Sequence, residues 1–146
     1  MAKIKTGELI DAALDWAVAI SKGIPAEELY IQKWGSRLPP SIYRRNRDED
    51  GNLDGTYTSG PDLLFSRKWE AGGPVIEREA HNLFKHNGGT EWCCACNVPR
   101  DGYTAIVTAD GPTPLIAAMR CYVASKLGDE VEVPDELTCS PTPKND

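Results

Sequence analysis

The chain has 146 residues, 40% of them apolar and 26% charged, which fits one globular domain able to bury a core without staples. Sixteen basic and 22 acidic residues give a net charge of −6, which disfavours sequence-independent binding to long DNA or RNA. No apolar run nears the ~20 residues of a membrane span, and Met1 to Thr6 lacks the apolar stretch of a secretory signal, so no membrane association is expected.

The first predicted element is a helix over about residues 8–22. Thr6 stands where an N-cap is expected, and Gly23-Ile24-Pro25 is a stop signal. Leu9, Ile10, Ala13, Leu14, Ala17 and Val18 form a broad apolar stripe, widened by Trp16 and Ile20. Residues 28–32 fit a short strand or the end of a short helix. Beyond Pro39-Pro40, the run Arg44-Arg45-Asn46-Arg47 and the acidic, glycine-containing residues 48–55 predict a long polar loop at about 35–64.

Pro74 fits the first position of a second helix, because its missing N–H would be unpaired there in any case. Val75, Ile76, Ala80, Leu83 and Phe84 supply its buried stripe, and Asn87-Gly88-Gly89 its end. Residues 92–98 and 103–108 flank Pro99-Arg100-Asp101-Gly102 and predict a hairpin. Thr113 and Pro114 open a third helix that runs to about Leu127, where Gly128 closes it. Its apolar residues wrap most of its circumference, so it is predicted to be largely buried. Residues 130–133 alternate like a short edge strand, and residues 140–146 have the composition of a disordered tail. The predicted fold is α+β: residues 1–139 form a single domain in which a small antiparallel sheet (hairpin 92–108 plus short strands) is covered by three helices as an α-β-α sandwich.

Two segments carry a resemblance. One runs from Phe65-Ser66-Arg67-Lys68-Trp69 through Gly72-Gly73-Pro74 to Glu77-Arg78-Glu79, the other from Gly111-Pro112-Thr113-Pro114 through Met119-Arg120-Cys121-Tyr122 to Gly128. Both resemble the NinX family of lambdoid tailed phages, as do Ala13-Leu14-Asp15-Trp16-Ala17-Val18-Ala19 and Val131-Glu132-Val133-Pro134. The likeness covers nearly the whole chain. A looser similarity is to the phage α-β-α sandwich domain. The resemblance implies a phage accessory protein in the cytoplasm of an infected bacterium. It brings no established activity and no catalytic residue, and the 48–55 insert and Cys93-Cys94 depart from its pattern.

Candidate chemistry centres on the two Gly-Pro helix openings. A helix N-terminus offers unpaired N–H groups and about half a positive charge, and glycines let an anion approach the backbone closely. Gly72 and Gly73 with Ser66, Arg67 and Arg78, and Gly111 and Thr113 with Arg120, therefore form the candidate anion site. The alternative is ordinary capping, with Arg120 paired to Glu77 or Glu79. Trp69 and Trp92, like Trp34, fall at element edges, where an indole can stack on a base. The residues predicted to bind ligand are thus Ser66, Arg67, Trp69, Gly72, Gly73, Arg78, Trp92, Gly111, Thr113 and Arg120.

Residues 50–55 match the first half of a calcium loop, but position 12 is Pro61 and the bidentate Glu is missing, so a solvated turn is expected. Five cysteines without an export signal are expected to be reduced thiols. Alternation puts Cys94 and Cys96 on one strand face and Cys93 on the other. Zinc needs four converging ligands; Cys94 and Cys96 supply two and His81 and His86 could join them, but small buried thiols are the leading expectation, with neither metal nor cofactor. No catalytic motif is present and Glu77 and Glu79 diverge on their helix, so the chain is expected not to be an enzyme. The leading expectation is a protein that captures a small nucleotide-like anion, such as a nucleotide messenger of a bacterial defence system, with a homo-oligomer as one way to build the site. The alternatives are an interaction protein acting on a host or phage macromolecule and, more weakly, a nucleotide phosphodiesterase.

Overall fold

The computed structural model describes residues 2–32, 40–58, 63, 65–79, 82–85 and 91–137. Eight strands and three helices follow in the order β1 (Ala2–Lys5), α1 (Asp11–Ser21), β2 (Leu29–Gln32), β3 (Ser41–Arg47), β4 (Leu53–Thr58), α2 (Trp69–Glu79), β5 (Asn82–Lys85), β6 (Trp92–Arg100), β7 (Tyr103–Gly111), α3 (Pro114–Leu127) and β8 (Glu130–Val133). The strands form three small sheets, ordered β1-β8, β2-β3-β4 and β5-β6-β7, with every pairing antiparallel.

α3 is the centre of the core. Leu115 through Met119 and Cys121 through Val123 are all buried, because apolar or small side chains occur around the whole helix. One side packs on β6 and β7, and α1 and α2 pack against others. Thr113 caps the helix by accepting the Ile116 N–H at 3.1 Å, and Gly128 ends it at φ 93°, as the sequence predicts. The predicted hairpin is present and extends over β6 and β7, from the Trp92↔Gly111 pair to the Arg100↔Tyr103 pair.

The sheet differs from the predicted sandwich. Helices lie against one face of β5-β6-β7, the face of Cys94, Cys96, Val107 and Ala109. On the other face Asn97, Thr104, Ile106, Thr108 and Asp110 are exposed, Ile106 at 68%. Polar residues alternate outward along β7, and the large apolar residues of that face, Phe84 and Ile106, stand exposed and not under a second helical layer.

Four local predictions are corrected. Thr6 does not cap α1: it is buried in a 3-10 turn (Thr6–Glu8), where its hydroxyl donates to the Gly128 carbonyl at 2.6 Å and its N–H to the Asp129 carbonyl at 2.7 Å. α1 begins at Asp11, whose φ of 52° lies in the left-handed region that Asp tolerates better than most side chains. The segment taken as a long polar loop contains β3 and β4, joined at residues 48–52 by a turn in which the Asp48 carboxylate accepts the N–H groups of Asp50 and Asn52. β3 also pairs with β2, and Arg44 and Arg47 both bind the buried Glu28 carboxylate. Finally, Asn82 to Lys85 belong to strand β5, not to the end of the second helix, and Leu83 faces Cys94 across the ladder. Trp34, His81, His86, the segment 87–89 and the predicted tail 140–146 lie outside the described residues.

Candidate functional site

The ten residues nominated from the sequence meet different fates. α2 does not open at Gly72-Gly73-Pro74. It begins at Trp69, where the Lys68 carbonyl accepts the N–H groups of Ala71 and Gly72, and Pro74 lies inside the helix. The first turns of α2 and α3 do lie side by side, but protein atoms fill the junction. A Cβ on Gly72 would come within 2.3 Å of the Phe65 carbonyl oxygen and 2.6 Å of Leu115 Cδ2. One on Gly111 would come within 2.7 Å of the Ala117 nitrogen. Both glycines are there for close packing, and neither leaves a cradle for a ligand. Thr113 is engaged by its own helix through Ile116 N–H and Ala117 N–H. Gly73 lies under the Trp69 ring, which is 55% exposed. Trp92 is half-buried, with Lys85 Nζ 5.8 Å from its ring centroid.

Ser66 and Arg67 do bind an anion, and it is internal. Asp15 of α1 is buried; its Oδ1 accepts from the Ser66 N–H at 2.8 Å and hydroxyl at 2.7 Å, and its Oδ2 from Arg67 Nε at 3.2 Å and Nη2 at 2.8 Å. Burial pushes the Asp15 carboxyl above its ordinary value, while the Ser66 and Arg67 donors pull it back. The signal missed in the sequence was a carboxylate in the middle of a helix buried all round, which must have partners.

Arg120 is not paired with Glu77, and the Glu79 side chain lies outside the described ones. Its Nε donates to the Leu9 carbonyl and its Nη1 to the Asp110 carbonyl, both at 2.7 Å. Burial lowers its pKa, and the charges of Glu91, Asp110 and Glu8 oppose that. Arg78 lies on the last turn of α2. It stands near enough to Lys22 at the end of α1 that its charge, after burial, helps lower the Lys22 pKa.

Arg120 also marks a feature that the sequence did not reveal. It ties the end of β7 to the chain leaving the Thr6–Glu8 turn. Beside it lies an open cavity of about 800 Å³. Thr108 and Ala109 of β7, Lys5 to Glu8, Ala124 of α3, and Asp129 and Glu130 at the start of β8 line it. Among the described residues β7 is an edge strand, paired to β6 alone, so one side of its backbone ladder faces outward. Among the described residues that line the groove, Glu8, Asp129 and Glu130 outnumber Lys5, and the neighbouring Arg120 lies in the fields of Glu91, Asp110 and Glu8.

No helix among the described residues is long and apolar enough to cross a membrane. Among curated proteins none matches the chain significantly. The protein-family comparison does find a match, over residues 5–126, which takes in the groove's β7 wall, the Asp15 cluster and both helix openings. The chain therefore belongs to the family described as bacteriophage P22 NinX, and is a phage accessory protein.

Proposed function

We propose that this phage protein acts as an interaction factor in the infected host, holding an extended, basic segment of a partner protein along the free edge of β7. The observation that carries this reading is the groove of about 800 Å³ with a strand edge on one side and a surplus of carboxylates around it. An open edge strand is a ready template for a further strand, and natural proteins commonly cover or charge such edges unless they are used. Main-chain hydrogen bonds would supply affinity, and the carboxylates would select basic side chains and speed their encounter.

Fluorescence anisotropy with labelled nine-residue peptides tests this: one alternating Val and Lys, one alternating Val and Glu. The Lys peptide should bind more tightly than about 100 μM, roughly −5.5 kcal/mol. A Glu8→Lys, Glu130→Lys double variant should reverse the preference. No binding of either peptide, or an unchanged preference in the variant, refutes the reading.

A second reading, capture of a small nucleotide-like anion such as a defence messenger, is favoured by one observation, the neighbouring Lys22 and Arg78 charges. Calorimetry with cyclic dinucleotides and ADP-ribose isomers, and the 260 nm absorbance of the purified protein, test it. Absence of any Kd below about 10 μM, or roughly −7 kcal/mol, removes it.

A further inference from the structure

Three cysteines meet in the core. Cys94 and Cys96 project from one face of β6, and Cys121 comes down from α3 onto them. All three are buried, and their sulfur atoms lie within 4.8 Å of one another. The Cys121 and Cys96 sulfurs are 2.9 Å apart, and Cys121 Sγ is 3.2 Å from the Val107 carbonyl oxygen. The strand pair at i and i+2 was legible in the sequence. The third sulfur was not, because it arrives from an element 25 residues further on.

We propose that Cys94, Cys96 and Cys121 form an all-sulfur site for one thiophilic metal ion, of the class of Zn(II) or Cu(I). Among the described residues the cluster contains no carboxylate and no imidazole, so it has nothing to offer a hard cation such as Ca(II) or Mg(II). Three thiolates around a metal at about 2.3 Å stand roughly 4 Å apart. The three sulfurs already lie within 4.8 Å of one another, and opening the 2.9 Å pair to that spacing needs about 1 Å of side-chain movement.

Without a cation the arrangement is costly to ionise. Cys121 pulls the Cys94 thiol down, but Cys96 and burial outweigh it and carry that thiol up to about 12. Hydrogen bonds with Cys94 and Cys96, and then burial, push Cys121 up as well. A bound metal inverts this, because a coordinating thiol is deprotonated outright. Each sulfur that binds releases its proton to solvent. Zn(II) with three thiolates leaves one buried negative charge, and Cu(I) leaves the same charge with two thiolates and one retained thiol. The site is sealed, so the ion enters during folding.

The test is anaerobic refolding of the full chain with Zn(II), with Cu(I), or with a chelator, followed by metal analysis of the desalted protein. One equivalent of either metal is expected, which also identifies the ion. With metal in excess, Tm should rise by about 5–10 °C. Cd(II) loading should give thiolate-to-metal absorption in the wild type and in Cys93→Ser, whose sulfur lies on the opposite strand face, but not in Cys121→Ser. If Cys121→Ser does not fold, the wild-type metal content and Tm shift decide. Metal-free protein with freely alkylated cysteines after unfolding, binding retained in Cys121→Ser, or a species 2 Da lighter carrying a Cys96–Cys121 disulfide would each overturn the proposal.

Discussion

Asp15 gives the sharpest test of how the core is held. Four donors converge on its carboxylate, two from Ser66 and two from Arg67. Asp15→Ala leaves the buried Ser66 N–H and hydroxyl without a partner, at about 1–3 kcal/mol each. Arg67 is 27% exposed and recovers some water, so its share is smaller. Breaking a buried ion pair from one side costs about 3–5 kcal/mol, and the two routes agree on a loss of that size. Asp15→Asn should be nearly as damaging, because its amide NH₂ must face either the Ser66 or the Arg67 donors. Urea unfolding with linear extrapolation measures both variants, with an unchanged m value showing that stability alone has moved. An Asn variant within about 0.5 kcal/mol of wild type would mean that the carboxylate is not the acceptor these four bonds require.

The packed glycines make the next prediction: Gly72→Ala and Gly111→Ala should each lose about 1–3 kcal/mol by overpacking, read as a lower Tm by circular dichroism, and a neutral Gly72→Ala would restore the case for an open cradle. Arg120→Ala removes two charge-assisted bonds to carbonyls, about 1.5–3 kcal/mol each, and hydrogen exchange should quicken at Asp110 and Gly111; unchanged exchange there would show that β7 is held by its ladder alone. Hydrogen bonds from Arg47 and Arg44 hold the Glu28 carboxyl below its ordinary value, so its stabilising contribution is complete above that value and disappears as pH falls through the depressed one. Asp15, shifted upward, contributes with the opposite sign. Glu28→Gln should therefore flatten the acid limb of a urea-midpoint profile between about pH 5 and pH 2, and an unaltered limb would remove Glu28 as its cause.

What the sequence disclosed follows from how local each signal is. α3 was legible from Thr113, Pro114 and Gly128 because capping is settled within a few residues, and the β6-β7 hairpin from its turn chemistry for the same reason. β1 has only Ile4 as a sizeable apolar residue, and it is a strand because Ile4 pairs with Val131 across almost the whole chain. β3 hides among arginines that look like solvent-facing charge until Glu28 is placed beside them. Ser66, Arg67 and Arg120 carry donors, but those donors are engaged inside the fold. Their partners, Asp15, the Leu9 carbonyl and the Asp110 carbonyl, lie up to 111 residues away and carry no local mark. Gly72 and Gly111 show the same ambiguity, since a glycine that admits a phosphate and one that admits a neighbouring helix have the same sequence signature.

The internal use of these arginines bears directly on what the surface can recognise. Arg44, Arg47 and Arg67 are matched by Glu27, Glu28 and Asp15, so those pairs cancel in the outward field. Arg120 differs, because it is half-buried on carbonyls and much of its charge is turned inward. The pairs leave the net charge of −6 unchanged, and the lining of the groove beside β7 carries its own surplus of carboxylates. That acidic background opposes the approach of a small anion and favours that of a basic strand. Raising ionic strength weakens exposed charge–charge attraction within a Debye length of about 8–10 Å. The Val-Lys peptide should therefore bind less tightly as salt is added, mainly through a slower on-rate, and a salt-independent on-rate would leave the carboxylates around the groove with no part in recognition.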